Sequence, residues 1–282
     1  MDIKKLFFPI GGGEDIEARI RGALLVNKAF NSHIKFLASQ MDFNLVFNME
    51  MALRSGKIFD ALHDSVADEL KAQKDKNHEL FTRLCGELGV QISDTNLPGI
   101  ATAEFVTKEG LRSKVVEYEA KFCDLVVSAC PPEGEPTATF NASVIKSGKN
   151  AIVIPRNLKE FKTDRILIGW SGTANIAKAI TGSMFLLKQA KSVHIITTAR
   201  YMQDAPSIQD DLLKYLSFHD VNATFEVVKT TSTHGEALLN NTQNGHFDMV
   251  VASSSGENGL REMYLGGTTK YFLQNTPVPV FV

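Results

Sequence analysis

Apolar and polar positions along the chain form a pattern that occurs twice. A short apolar stretch at 6–10 precedes three glycines at 11–13, and a similar stretch at 166–170 precedes a glycine-containing turn at 171–173. After each turn, apolar residues recur at intervals of about three or four residues, which predicts an amphipathic helix. The two halves of the chain therefore begin with the same predicted strand–turn–helix unit.

The repetition extends to two later strands in each half. An aspartate begins an apolar strand at 124–127 and again at 248–251, and a β-rich strand closes each half at 151–154 and 278–282. The first strands lie 160 positions apart, whereas the Asp-led strands lie only 124 apart, so the first half carries about 36 additional residues. We place this insertion at about 42–89.

The insertion contains a predicted long helix. Phe59, Leu62, Val66 and Leu70 occupy positions i, i+3, i+7 and i+11, and this spacing places them along one face of a helix. Charged residues cover the opposite face, which is typical of a solvated surface.

Strands that alternate with helices are typical of an α/β fold, in which helices cover both faces of a parallel sheet. We therefore predict two tandem doubly wound, Rossmann-like domains. The first domain spans 1–156 and contains the insertion, and the second domain spans 164–282. A short polar linker joins them.

The composition excludes several classes of protein. The chain has 282 residues, of which 44% are hydrophobic and 22% charged, which predicts a folded protein rather than a disordered one. Lys and Arg total 30 and Asp and Glu total 32, so the net charge is −2. Neither a nucleic acid nor a membrane surface is an expected partner, because both require concentrated positive charge.

Targeting signals and cysteines point to one compartment. No apolar run reaches the roughly 18 residues that span a bilayer, and the apolar stretch at 6–10 is shorter than the core of a signal peptide, about 7 residues or more. Cys85, Cys123 and Cys130 form no CxxC motif. Metal binding by Cys123 and Cys130 is an alternative to two structural thiols, which we favour. We expect a reduced, cytoplasmic location.

Two segments rich in Gly, Ser and Thr follow predicted strands in the second half, one at 170–173 and the other at 252–260, continuing to 266–269. Glycines allow backbone N–H groups to approach phosphate oxygens, and a helix that begins near Thr268 would direct its positive end toward them. The same residue types also form ordinary strand-to-helix turns and helix caps. A phosphate site and a purely conformational role both remain open.

At these residues the second half resembles the universal stress protein family. Nucleotide-binding members carry G-x2-G-x9-G-(S/T) after the fourth strand, and the aligned positions here are Ser253, Gly256, Gly266 and Gly267. Ser253 replaces the first glycine, and Gly267 replaces the Ser or Thr. The Leu-Gly-Gly-x-Thr run and the terminal Pro-Val-Pro-Val strand are similar to those of tandem-domain bacterial members. The resemblance covers 164–282 well and the first half more weakly.

The resemblance implies a site for ATP or another adenine nucleotide, with Mg²⁺ arriving only together with the nucleotide. Adenine and ribose would lie near Ser171 and the backbone at 196–197, and the phosphates over the glycine loop. ATP-binding members have Asp at the position of Ser171, so we expect weak or altered binding. The implied site comprises Ser171, Gly172, Thr173, Ile196, Thr197, Ser253, Gly256, Gly266, Gly267 and Thr268.

The corresponding loop of the first half, at 130–136, has a different character. It contains three prolines, which lack an N–H donor, and it contains Glu133 and Glu135, whose charge repels phosphate. We therefore expect the first domain to be degenerate and to bind no nucleotide.

No residue pattern indicates catalysis or a metal site. The sequence contains no HExxH, P-loop or GxSxG motif, each of which would supply a nucleophile, a base or a metal ligand. Asp124 and Asp248 start strands opposite the expected ligand edge, which favours a capping or turn role. We interpret His246 as a turn or surface residue and His234 as a solvent-facing residue that opens the following helix, with a contact to a phosphate or another ligand as the alternative for His234.

Three hypotheses follow. The leading one is a cytoplasmic stress-response regulator that binds an adenine nucleotide in its second domain. The first alternative is a nucleotide-free scaffold that binds an unidentified protein through the inserted helix. The remoter alternative is an adenine-nucleotide-dependent pyrophosphatase or adenylyl-transfer enzyme, to whose SGGxDS turn residues 171–175 are faintly similar. We expect the closing strands to pair the two halves within the chain, and a homodimer of chains is a further alternative.

Overall fold

The computed structural model describes residues 2–11, 14–40, 57–132, 135–203, 207–229, 234–253 and 267–282. Within these ranges, eleven strands form a single sheet in the order β3-β4-β2-β1-β5-β6-β11-β10-β7-β8-β9. In chain order they are β1 Lys5–Ile10, β2 His33–Gln40, β3 Gln91–Ile92, β4 Thr102–Glu109, β5 Leu125–Ala129, β6 Ala151–Ile154, β7 Arg165–Gly169, β8 Ser192–Thr198, β9 Ala223–Val228, β10 Met249–Val251 and β11 Val280–Phe281.

Helices connect most of these strands, as the predicted α/β fold requires. In the described part of the chain they are α1 Ile16–Phe30, α2 Lys57–Leu88, α3 Arg112–Glu119, α4 Ala174–Leu187, α5 Ala199–Gln203, α6 Ile208–Ser217, α7 His234–Asn244 and α8 Gly267–Asn275. A 3₁₀ turn at Ala120–Phe122 follows α3, and a short helix at Ala138–Phe140 continues as a π-helical turn at Asn141–Ile145.

The sheet is mostly parallel and is wound twice. The chain moves outward from β1 through β2 to β4 and then returns to the other side of β1 as β5. The second half repeats this path, because β8 and β9 lie on one side of β7 and β10 lies on the other. The prediction of an α/β fold with doubly wound, mostly parallel strands is confirmed.

One antiparallel pair joins the two halves into a continuous sheet. Val153 of β6 lies opposite Val280 of β11, and Ile152 lies opposite Phe281. Both strands are otherwise in parallel pairs, β6 with β5 and β11 with β10. The domain boundaries at 156 and 164 stay a prediction, since the sheet runs through both halves without interruption.

The central strands bury side chains on both faces of the sheet. Phe7 and Phe8 are adjacent in β1, and they belong to two different apolar clusters because successive strand side chains alternate in direction. Both are at most 2% exposed. The Phe8 ring lies 5.3 Å from that of Phe36 in β2. This two-sided burial explains why the strands read as continuous apolar runs.

The inserted helix is longer than the spacing of its apolar residues indicated. It extends over Lys57–Leu88, and its last two turns pack on the first half through Phe81, Leu84 and Cys85. The Phe81 ring lies 5.2 Å from that of Phe36. The side chains of Phe59, Leu62, Val66 and Leu70, and all residues at 42–56, lie outside the described residues.

The three cysteines are buried and unpaired with one another. Burial raises the pKa of Cys85, Cys123 and Cys130 to about 12, so all three are neutral thiols at physiological pH. The described residues contain no cluster of three or more His, Cys, Asp or Glu that could hold a metal ion. None of the helices described is both long and apolar enough to cross a membrane.

Candidate functional site

The predicted site lies where the winding of the second half reverses, between β7 and β10. Gly169 at the end of β7 is in register with Ile196 of β8, and Ile168 is in register with Val251 of β10. The segments that follow these strands therefore emerge at one edge of the sheet. Such a reversal is where open α/β sheets place their ligands.

The turn after β7 is built by three residues with distinct roles. Gly172 has φ of 73°, a left-handed conformation that glycine adopts without strain. Thr173 caps α4, because its hydroxyl accepts a hydrogen bond from the Ile176 N–H at 3.4 Å. Ser171 Oγ lies 3.2 Å from Thr173 Oγ1. The turn thus places Ser171 beside the N-terminus of α4.

Ile196 and Thr197 of β8 form hydrogen bonds with the segment that follows β7. The Ile196 carbonyl accepts the N–H of Trp170 at 2.8 Å, and the Thr197 hydroxyl donates to the Trp170 carbonyl at 3.1 Å. Thr197 is only 2% exposed. Its side chain therefore positions the segment after β7, and contacts from 196–197 to a ligand stay a prediction.

The glycine loop is described only at its two ends. Ser253 is buried two residues beyond β10, and Gly267 is the first residue of α8, with Thr268 next to it. Gly256 and Gly266 lie outside the described residues, as do the side chains of 267–269. The structure places Ser171, Gly172, Thr173, Ile196, Thr197 and Ser253 at one edge of the sheet.

Comparison with known proteins decides the family of this half. Residues 193–282 match the model of the Universal stress protein family. The chain contains a universal stress protein domain. The match covers β8 to β11 and both described ends of the glycine loop.

Solved structures extend the similarity in fold to the whole chain. A universal stress protein from Archaeoglobus fulgidus DSM 4304 superposes with a TM-score of 0.71 at 13% identity, and the match covers 100% of this chain and 98% of that one. A functionally unknown protein from Pseudomonas aeruginosa PAO1 gives a TM-score of 0.51 at 12% identity over 99% and 92% of the two chains. No curated protein matches the chain. These similarities establish a shared fold for the full length.

One residue near the candidate site was not predicted from the sequence. Thr198, the last residue of β8, is 7% exposed, and among the described residues its hydroxyl has no hydrogen-bond partner. Ser39 occupies the equivalent position in β2, and its hydroxyl is also buried without a described partner. Both halves therefore have a buried hydroxyl near the end of their second strand, β2 or β8, and this shared position could have been found in the sequence. A ligand or a water molecule would supply the missing hydrogen-bond partner.

Proposed function

We propose that this chain is a stress-response regulatory protein that binds an adenine nucleotide weakly at the carboxyl edge of β7, β8 and β10. The carrying observation is the family match over 193–282, which includes Ser253 and α8 at the edge where the turn of Ser171 emerges. Membership of the family supports the stress-response role. Binding of an adenine nucleotide is the part of the proposal that goes beyond the family match.

The chemistry of the site suits binding more than reaction. In this proposal the N-terminus of α4 and the start of α8 face the phosphates, because unpaired backbone N–H groups attract anions. Mg²⁺ would arrive with the nucleotide. The Ser171 hydroxyl would form a hydrogen bond with the ribose or the adenine. A hydroxyl there replaces a carboxylate and loses a charge-assisted hydrogen bond, which weakens binding by about tenfold to a hundredfold.

The direct test is to identify and titrate the nucleotide. Mass spectrometry of the supernatant from freshly purified, denatured protein should detect ATP, ADP or AMP. Calorimetric titration of the purified protein with each nucleotide and Mg²⁺ should show weak, saturable binding. Ser171→Asp should then tighten binding by about tenfold to a hundredfold, since it restores the carboxylate.

A matched control separates a local effect from a change in overall charge. Asn222 is exposed and immediately precedes β9, so it lies at the opposite edge of the parallel sheet from Ser171. Asn222→Asp adds the same charge and should leave nucleotide affinity unchanged. Absence of binding in both the natural protein and Ser171→Asp, at millimolar nucleotide, would overturn the proposal.

The nucleotide-free scaffold is favoured by one observation on α2. Its last two turns pack on the first half, whereas residues 71–76 are all exposed, so this part of the helix is available to a protein partner. We propose a cytoplasmic location in either case. A homodimer would need a surface other than the closing strands, because β11 is paired on both sides within the chain.

A further inference from the structure

The first half contains a cavity at its own reversal of winding, between β1 and β5. The cavity has a volume of about 300 Å³, and its walls include Pro9 and Gly11 at the end of β1 and Ser128 and Cys130 at the end of β5. Strand order in this half makes the position equivalent to the β7–β10 site. The sequence predicted that this place is unsuited to a phosphate.

Three arginine side chains line the cavity. Arg19 lies on α1, Arg112 is the first residue of α3, and Arg156 follows β6. No Asp or Glu is among the described lining residues, whereas the hydroxyls of Thr137 and Thr139 are. The walls therefore combine three positive charges with polar hydroxyl groups.

The backbone holds two of these guanidinium groups in place. Arg156 donates to the Glu14 carbonyl at 2.7 Å and to the Cys130 carbonyl at 3.4 Å. Arg19 donates to the Gly11 carbonyl at 3.4 Å. These contacts fix the positions of the two guanidinium groups.

Among the described residues, one carboxylate forms an ion pair with this group of arginines. Asp15 lies 3.5 Å from Arg156 Nε, and its side chain is 59% exposed. Arg19 is only 6% exposed. Burial, together with the positive charge of Arg156, lowers the pKa of Arg19 to about 10. Arg19 thus remains charged at neutral pH while its charged form is disfavoured, so an anion in the cavity would stabilise it.

The cavity is built for binding and not for covalent chemistry. Cys130 is the one cysteine among the described lining residues, and burial raises its pKa to about 12. The thiolate, not the thiol, is the nucleophile, so Cys130 is unreactive at physiological pH. The volume of the cavity is at the lower end of the range of about 300–1,000 Å³ for small-molecule pockets, which favours a compact ligand.

We propose that this cavity binds a small oxyanion-bearing molecule, a phosphate ester or a carboxylate, through Arg19, Arg112 and Arg156. The prolines at 131 and 132 remove N–H donors, and the arginine side chains supply donors in their place. Guanidinium groups bind carboxylate and phosphate oxygens in a bidentate geometry. The two halves would then hold different ligands at equivalent edges of one sheet.

Calorimetric titration of the full chain with inorganic phosphate, and separately with malonate, tests this proposal. Saturable binding of either probe is expected, and the tighter probe identifies the ligand as phosphate-bearing or carboxylate-bearing. Arg112→Gln should weaken binding by about tenfold or more. Arg112 is exposed, so its replacement should leave the fold intact, which circular dichroism would check.

Arg83→Gln is the matched control, because it removes the same charge from an exposed position outside the cavity lining. It should leave the affinity for either probe unchanged. Failure of both probes to bind would overturn the proposal, and so would equal affinity in the natural protein, Arg112→Gln and Arg19→Gln. Ser171→Asp acts at the other edge site, so the nucleotide proposal and this one can fail independently.

Discussion

Asp124 accepts the backbone N–H of Lys5 through its carboxylate at 2.9 Å, which fastens the start of β5 to the start of β1. The second half repeats the contact, because Asp248 accepts the N–H of Arg165 at 2.9 Å. Asp124 also accepts from the N–H of Lys4 at 2.9 Å. The capping role predicted for both aspartates is confirmed, and the repetition in sequence has a structural cause.

Removal of this cap should destabilise the fold without affecting a ligand. Asp124→Ala leaves the N–H groups of Lys4 and Lys5 without their carboxylate acceptor, which should lower the free energy of unfolding by about 1–2 kcal/mol. Urea denaturation followed by circular dichroism measures the change. Asp94→Ala, at an exposed turn residue, should change the same quantity by less than about 0.5 kcal/mol. Equal effects from the two variants would contradict the cap.

A buried carboxylate should make the stability of the first half depend on pH. Glu119 is 7% exposed, and it accepts hydrogen bonds from Lys35 and Lys108. Burial by itself raises the pKa of Glu119, but the hydrogen bonds from the two lysines outweigh it and hold the pKa below the ordinary value. Because the pKa is lower in the folded state, the ionised carboxylate stabilises the fold at pH values above the unfolded-state pKa of about 4.3. This contribution is lost as the pH falls through the folded-state pKa.

Glu119→Gln should therefore cost about 1.5–3 kcal/mol of unfolding free energy at neutral pH, because two ammonium groups lose their counter-charge. The difference from the natural protein should be smaller at about pH 3, because the unfolded carboxyl is protonated there and part of the contribution is lost. Urea titrations at the two pH values measure it. Glu117→Gln, in the same helix, provides the comparison, and a difference independent of pH would refute the assignment to Glu119.

Two adjacent threonines in β8 should respond differently to the same substitution. Thr197→Val removes the hydroxyl that donates to the Trp170 carbonyl, and a loss of about 1 kcal/mol is expected. Thr198→Val removes a buried hydroxyl that has no described partner, so stability should be unchanged or up to about 1 kcal/mol higher. Thermal or urea unfolding of the pair decides this, and a larger loss in Thr198→Val would mean that its hydroxyl is satisfied.

Two helical glycines provide a comparison of packing with backbone entropy. A Cβ at Gly182 in α4 would overlap the side-chain amide of Asn150, so Gly182→Ala should destabilise by about 1–3 kcal/mol. A Cβ at Gly86 in α2 would meet no described atom within 4 Å. Gly86→Ala should therefore stabilise by up to about 1 kcal/mol, since alanine restricts the unfolded chain. Equal changes in the two variants would show that Asn150 moves aside freely.

Much of the fold was predictable because it depends on local patterns. The apolar runs at the starts of both halves became β1 and β7, and the glycine turn at 172 became a left-handed residue before a threonine-capped helix. The inserted helix was predicted from four apolar residues, although its packed end at Phe81 and Leu84 was not. Burial of that end depends on contacts with α1 and β2, which no local spacing records.

The candidate site in the second half was located from strand ends and a family resemblance, and its contacts were not. The spacing placed Ser171 and Ser253 at strand ends, but it could not show that Thr197 is engaged by Trp170. In the first half the sequence drew attention to the prolines and glutamates at 130–136. The sequence pattern did not indicate the three arginines, because they lie far apart in the chain, on α1, on α3 and after β6.

The sequence by itself determined the duplicated strand–helix pattern, the turns and the edge at which ligands are expected, because these follow from periodicity and backbone preference over short stretches. Only the tertiary structure decided that β6 and β11 pair in the antiparallel direction, with Val153 opposite Val280, and that Arg19, Arg112 and Arg156 line one cavity. Those features bring together residues as far apart in the chain as Arg19 and Arg156, which are 137 positions apart, and the packing of whole elements decides such contacts.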